Sequence, residues 1–112
     1  MPTQIENDNT YLGVAILHAK LSKAKRLQVG ACLVTDTGSL VPGVNGKPKA
    51  LGNDCEKEIE GELVTLPETL HAEIAVIFRF ARSGVKTQGS VRYLTHSPCL
   101  HCSSAIISAG IE

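Results

Sequence analysis

Two short clusters in this sequence combine metal-binding side chains with a carboxylate placed to move protons: His71-Ala72-Glu73 and Pro98-Cys99-Leu100-His101-Cys102. A helix opening at Pro98 puts Cys99 and Cys102 one turn apart, so both thiols point to the same spot, and thiolates there gain from the positive end of the helix dipole. A second helix opens at His71, and two helix N-termini that face each other can bring an imidazole to the same point. One imidazole and two thiolates are three of the four ligands of a tetrahedral Zn2+ site. The fourth position is then left to water, as in a catalytic rather than a structural site, and the metal lowers the pKa of that water to about 7. Glu73 lies two residues from His71, close enough to reach the water without being a ligand. It is placed to take the water's proton and deliver it to a substrate nitrogen. The chemistry implied is metal-assisted hydrolysis.

Other uses of the same residues are weaker. A redox dithiol at Cys99 and Cys102 leaves His71 and Glu73 without a role. A structural zinc site needs a fourth ligand from His96, His101, His18, Cys32 or Cys55, and on a helix His101 points about 100° away from Cys102. Cys32 lies in an apolar run and is expected to be a small core residue. Cys55, beside Asn53 and Asp54, is more open, and a second metal site there is an alternative.

The elements that must position these residues can be read from periodicity and turn chemistry. Residues 8–25 carry Leu12, Ile16 and Ala19 on one helical face, widened by Val14, Leu17 and Leu21, and end in the basic turn Lys20, Lys23 and Lys25. Residues 29–35 and 39–44 form a hairpin about the turn Asp36-Thr37-Gly38, the first strand buried on both faces. Residues 46–70, rich in Gly, Pro and charge, form a long insertion loop before the first cluster. A largely buried helix runs from His71 to Ser83 and is ended by Gly84. A strand follows at residues 91–95, and the last helix starts at Pro98. The order is that of a single α/β domain over residues 1–112, with 1–10 a polar N-terminal segment.

Composition limits the partners. The 112 residues hold 11 basic and 11 acidic side chains, so no net field attracts a polynucleotide or an anionic membrane. No cationic segment followed by an apolar run opens the chain, and four Cys without a disulfide pattern fit the cytoplasm.

Beyond the two clusters, Leu27-Gln28-Val29-Gly30-Ala31, Gly43-Val44-Asn45-Gly46-Lys47-Pro48, Tyr93-Leu94-Thr95-His96-Ser97-Pro98-Cys99 and Ala105-Ile106-Ile107-Ser108-Ala109-Gly110-Ile111 fall in a familiar order. From about Tyr11 onward the chain resembles the deoxycytidylate (dCMP) deaminase family, within the cytidine/deoxycytidylate deaminase superfamily, whose zinc signature is H-x-E followed by P-C-x-x-C. The resemblance implies a three-layer α/β/α cytidine-deaminase-like fold with a central mixed sheet, and deamination of dCMP to dUMP with ammonia released. It implies zinc held by His71, Cys99 and Cys102 and proton transfer by Glu73. It also implies a sugar contact from Asn45, a grip on the pyrimidine carbonyl by the Ala72 N–H, and a phosphate contact from Arg26 or Lys47. Family members are often homo-oligomers, hexamers among them, regulated by dCTP and dTTP near the segment that matches Gly43–Gly46. Such an allosteric nucleotide would bring Mg2+. Val44 stands where the family usually has Tyr, and Ala75 where it has Asn. The family continues through at least one more strand after the last helix, whereas this sequence ends at Glu112, so an exposed sheet edge is expected there. The alternatives are another deaminase of the superfamily, acting on cytidine, guanine or tRNA adenosine, or a relative that keeps the zinc and binds nucleotides without catalysis.

Overall fold

The computed structural model describes residues 1–112. The first helix, α1, spans Gln4–Ala19. It starts earlier than its apolar pattern suggests because Thr3 and Glu6 form a capping box. The Glu6 N–H donates to Thr3 Oγ1 at 3.1 Å, and the Thr3 N–H donates to the Glu6 carboxylate at 3.0 Å. Residues 4–7 of the polar N-terminal segment, ahead of the expected helix start at Asp8, are therefore its first turn. Lys20 is the C-cap, so Lys23, Lys25 and Arg26 lie in the irregular segment beyond it.

The buried face of α1 matches the expected one only in part, at Ala19 and Val14. Ala15 and Ala19 are buried, while Leu12, Ile16, Leu17 and Leu21 are 38–65% exposed. The reason is distance: a Cβ added at Gly30 would collide with the Ala15 carbonyl oxygen. A helix this close to a strand presents alanines at the point of contact, with Tyr11 and Val14 packed beside it, while Leu12, Ile16 and Leu17 lie outward.

The central sheet has strand order β2-β1-β5, formed by β1 (Gly30–Val34), β2 (Leu40–Val44) and β5 (Val91–Leu94). Between β2 and β5 the chain adds β3 (Glu56–Ile59), β4 (Glu62–Thr65) and α2 (Ala72–Ser83), and α3 (Leu100–Ser108) closes it. β1 is buried along its whole length, as expected. Its side chains alternate between two cores. Cys32 and Val34 meet Ala15 of α1, with Tyr11 and Tyr93 alongside; Ala31 and Leu33 meet Ala72, Val76 and Phe80 of α2 and Ile106 of α3. This is the three-layer α/β/α arrangement.

The named strands pair antiparallel throughout. Parallel pairing enters only at Glu112, whose N–H donates to Ser90 O at 2.7 Å and whose carbonyl accepts from the Arg92 N–H at 3.3 Å.

The segment 46–70 is not a plain loop. Its base is closed by two hydrogen bonds between Gly46 and Leu70, and it contains the antiparallel hairpin β3–β4. α3 begins at Leu100 rather than Pro98, with Cys99 as N-cap. α2 buries Ala72, Glu73, Val76 and Phe80, whereas Phe78 is 50% exposed, so one face is covered rather than most of the circumference. Gly84 ends α2 at φ 73°, a left-handed conformation that glycine adopts without strain.

Candidate active site

The two clusters meet where the N-termini of α2 and α3 converge. His71 is the N-cap of α2 and Cys99 the N-cap of α3, both with extended backbone, and Cys102 lies in the first turn of α3. His71 Nδ1 is 3.1 Å from Cys102 Sγ and 3.6 Å from Cys99 Sγ, and the three ligand atoms lie within 4.8 Å of one another. Tetrahedral zinc, with bonds of about 2.0–2.3 Å, separates its ligand atoms by about 3.3–3.8 Å. The donor set and its spacing therefore fit zinc.

The two thiols are in different surroundings. The Cys102 backbone N–H donates to Cys99 Sγ at 3.4 Å and is the main cause of a Cys99 pKa below the usual thiol value. Burial, followed by the hydrogen bond to Cys99 and the negative charge of Glu73, pushes Cys102 up to about 12. Metal binding must remove that proton, which couples affinity to pH.

A cavity of about 390 Å³ opens on this point and is lined by His71, Glu73 and Cys99, with Arg26, Asn45, Glu56, Thr65 and His96 among the other wall residues. Glu73 is 7% exposed, in the first turn of α2. A cavity of this size suits a small-molecule ligand.

Of the expected substrate contacts, Arg26 and Asn45 line the cavity; Ala72 and Lys47 do not. Lys47 instead pairs with Glu68 at 3.8 Å. Ala72 is fully buried at the first position of α2, where its N–H has no partner within the helix. The Asn45 side chain is largely engaged by the protein: Oδ1 accepts from Ser22 Oγ at 2.7 Å and from the Val29 N–H at 2.9 Å, and Nδ2 donates to Leu27 O at 2.8 Å. One amide hydrogen is left for a ligand. His96, a candidate fourth ligand, sits in the cavity wall with Nδ1 2.8 Å from Thr95 Oγ1 and is not part of the metal cluster. Cys32 is fully buried, and burial raises its pKa to about 11. Cys55 is buried too, its Sγ 3.5 Å from Asn53 O.

Sequence reasoning missed the wall supplied by the hairpin, Glu56 and Thr65 above all. A signal was present. Glu60-Gly61 is a two-residue hairpin turn with φ of 50° and 82°, flanked by Ile59 on one side and Leu63-Val64-Thr65 on the other.

Comparison with known proteins agrees with this geometry. Residues 5–112 match the family described as the cytidine and deoxycytidylate deaminase zinc-binding region. ComE operon protein 2 of Bacillus subtilis (strain 168) is 37% identical over 105 residues, which cover 91% of this chain and 54% of that protein. Deoxycytidylate deaminase of Homo sapiens is 36% identical over 107 residues, covering 91% of this chain and 59% of that one. The chain thus spans little more than half the length of these curated relatives. Among solved structures, the dCMP deaminase of cyanophage S-TIM5 in complex with dCMP and dUMP superposes with a TM-score of 0.88 at 36% identity, covering 99% of this chain and 80% of that one. No helix of the chain is long and apolar enough to cross a membrane. With the family match running through both ligand clusters and nearly the whole sequence, the chain belongs to the cytidine and deoxycytidylate deaminase family.

Proposed function

We propose that this chain catalyses the zinc-dependent hydrolytic deamination of dCMP to dUMP, releasing ammonia. The observation that carries the proposal is the opening of the His71, Cys99 and Cys102 cluster onto a cavity that also holds a buried carboxylate, Glu73, and an arginine, Arg26. The likeness to a phage dCMP deaminase solved with dCMP and dUMP supports it. His71, Cys99 and Cys102 would hold the zinc, which supplies a water acidic enough to act as nucleophile at neutral pH. Glu73 would take one proton of the attacking water as its oxygen bonds to C4 of the pyrimidine and deliver it to ring nitrogen N3; the second proton, from the hydroxyl now on C4, would pass by the same carboxylate to the amine, so that the C4–N bond breaks, ammonia leaves and the C4 carbonyl of dUMP remains. The burial of Glu73 keeps bulk water from competing for these transfers.

The Ala72 N–H, free of any helical partner, is assigned to the pyrimidine carbonyl, and the remaining Asn45 amide hydrogen to the sugar. Arg26 is assigned to the phosphate. It lines the cavity and belongs to neither ion pair of the molecule, whereas Lys47 is held by Glu68. Family resemblance adds dCTP and dTTP as effectors with Mg2+ near Gly43–Gly46, a homo-oligomeric assembly and a cytoplasmic location.

Replacing Glu73 with Gln tests the chemistry. The zinc-loaded variant is expected to keep one zinc per chain and to lose ~10²–10⁴ in kcat on dCMP, the usual contribution of a positioned acid/base. Near-normal turnover would place the proton transfer on another group.

A further inference from the structure

We infer that Glu56 and Thr65, the facing pair at the open end of the β3–β4 hairpin, are positioning residues that hold Arg26 for the substrate's phosphate. The inference rests on the reading of the chain as a dCMP deaminase. Arg26 lies in the irregular segment between α1 and β1, where nothing regular fixes its backbone. The hairpin fixes it from outside. One carboxylate oxygen of Glu56, Oε2, accepts the backbone N–H of Lys25 at 2.9 Å and that of Arg26 at 3.0 Å. Thr65 Oγ1 accepts from Arg26 Nη1 at 3.1 Å. Glu56 and Thr65 are register partners across the two strands, so one rung grips Arg26 at both its backbone and its guanidinium.

The charge arrangement suits an anion-binding arginine. Glu56 Oε2 is spent on main-chain N–H groups and the carboxylate forms no direct ion pair with Arg26, so most of the guanidinium's donors remain for a ligand. The same contacts hold Glu56 below the usual carboxylate range, chiefly through the Arg26 N–H. Arg26, Glu56 and Thr65 all line the cavity that holds His71 and Glu73. On the other side of the segment, Asn45 bonds Leu27 O and the Val29 N–H, so the stretch carrying Arg26 is clamped from two sides. The hairpin contributes no buried residue to the core from either strand. Its directed contacts are those with this segment.

Steady-state kinetics of the zinc-loaded protein on dCMP and on deoxycytidine, which lacks the phosphate, test the inference. Glu56→Ala is expected to raise KM for dCMP and the inhibition constant of dUMP by ~10–100-fold, the cost of a misplaced binding group. Its kcat on dCMP should stay within about threefold, and its kcat/KM on deoxycytidine should be unchanged. Glu56→Gln, whose amide oxygen accepts the same two N–H groups, should restore most of the affinity. Thr65→Val should act in the same direction, more weakly, and Thr65→Ser should match the parent. Equal losses on both substrates would mean that the hairpin only supports the fold, and would overturn the inference. Arg26→Ala separates the two levels. If it abolishes the preference for dCMP while Glu56→Ala does not, the positioning role alone fails; if it leaves the preference intact, the phosphate assignment of Arg26 fails and the positioning role with it.

Discussion

His71 and Cys99 reach the metal point from helix N-caps, whose extended backbone aims the side chain across the start of the helix. The position of each of these two proposed ligands is thereby set by the place where a helix begins. Cys99 has a second task, since its sulfur accepts the Cys102 N–H and caps α3. Cys99→Ala is therefore expected to lose zinc entirely and to destabilise the start of α3 by about 1 kcal/mol, the usual worth of a cap. Metal analysis and urea unfolding of the same preparation check this, and stoichiometric zinc in the variant would contradict the ligand assignment. The residues at this point were legible in the sequence because the spacings His-x-Glu and Cys-x-x-Cys set which side chains share a helix end, and the family resemblance joined the two ends at one point. Asn45 and Lys47 were less legible. Whether an amide or an ammonium faces a ligand depends on partners distant in sequence, here Ser22, Val29 and Leu27 for Asn45 and Glu68 for Lys47.

At the scale of elements, the approach of α1 to the sheet depends on Gly30, which leaves room for the Ala15 carbonyl. Gly30→Ala would drive a methyl group into backbone that has no rotamer to change, so a loss of about 1–3 kcal/mol or more is expected from overpacking, read as a lower urea midpoint with unchanged slope. An unchanged midpoint would show that α1 shifts freely on the sheet. This contact also explains why the helical pattern named only part of the buried face, Ala19 and Val14, correctly. Hydrophobic periodicity marks large apolar residues, and here the close approach selects Ala15 and Ala19 while Leu12 and Ile16 face outward. The β1–β2 hairpin was legible from its apolar runs and its Asp-Thr-Gly turn. The β3–β4 hairpin offered only its Glu60-Gly61 turn and a short apolar flank, because a ribbon exposed on nearly all its residues has no period-two pattern to display.

At the scale of the whole molecule, the outward residues of α1, Ile5, Leu12 and Ile16, are 72%, 38% and 50% exposed, and Leu100 and Ile107 of α3 are 86% and 76% exposed. Apolar surface collected on helix faces favours association. The zinc-loaded protein is expected to sediment as an oligomer, and Ile16→Lys or Ile107→Glu to shift it toward smaller species; a monomer at all accessible concentrations would contradict this. With 11 basic and 11 acidic residues in balance, the anion recognition proposed above rests on the single arginine that lines the cavity, Arg26, rather than on a basic surface. The most direct test of the account is therefore the rate of ammonia release by one zinc-quantified preparation offered dCMP, deoxycytidine and a tRNA anticodon stem. Conversion of dCMP to dUMP is expected with kcat/KM well above that for either competitor. Equal or faster release from deoxycytidine or the anticodon stem, or none from dCMP with zinc fully bound, would contradict it.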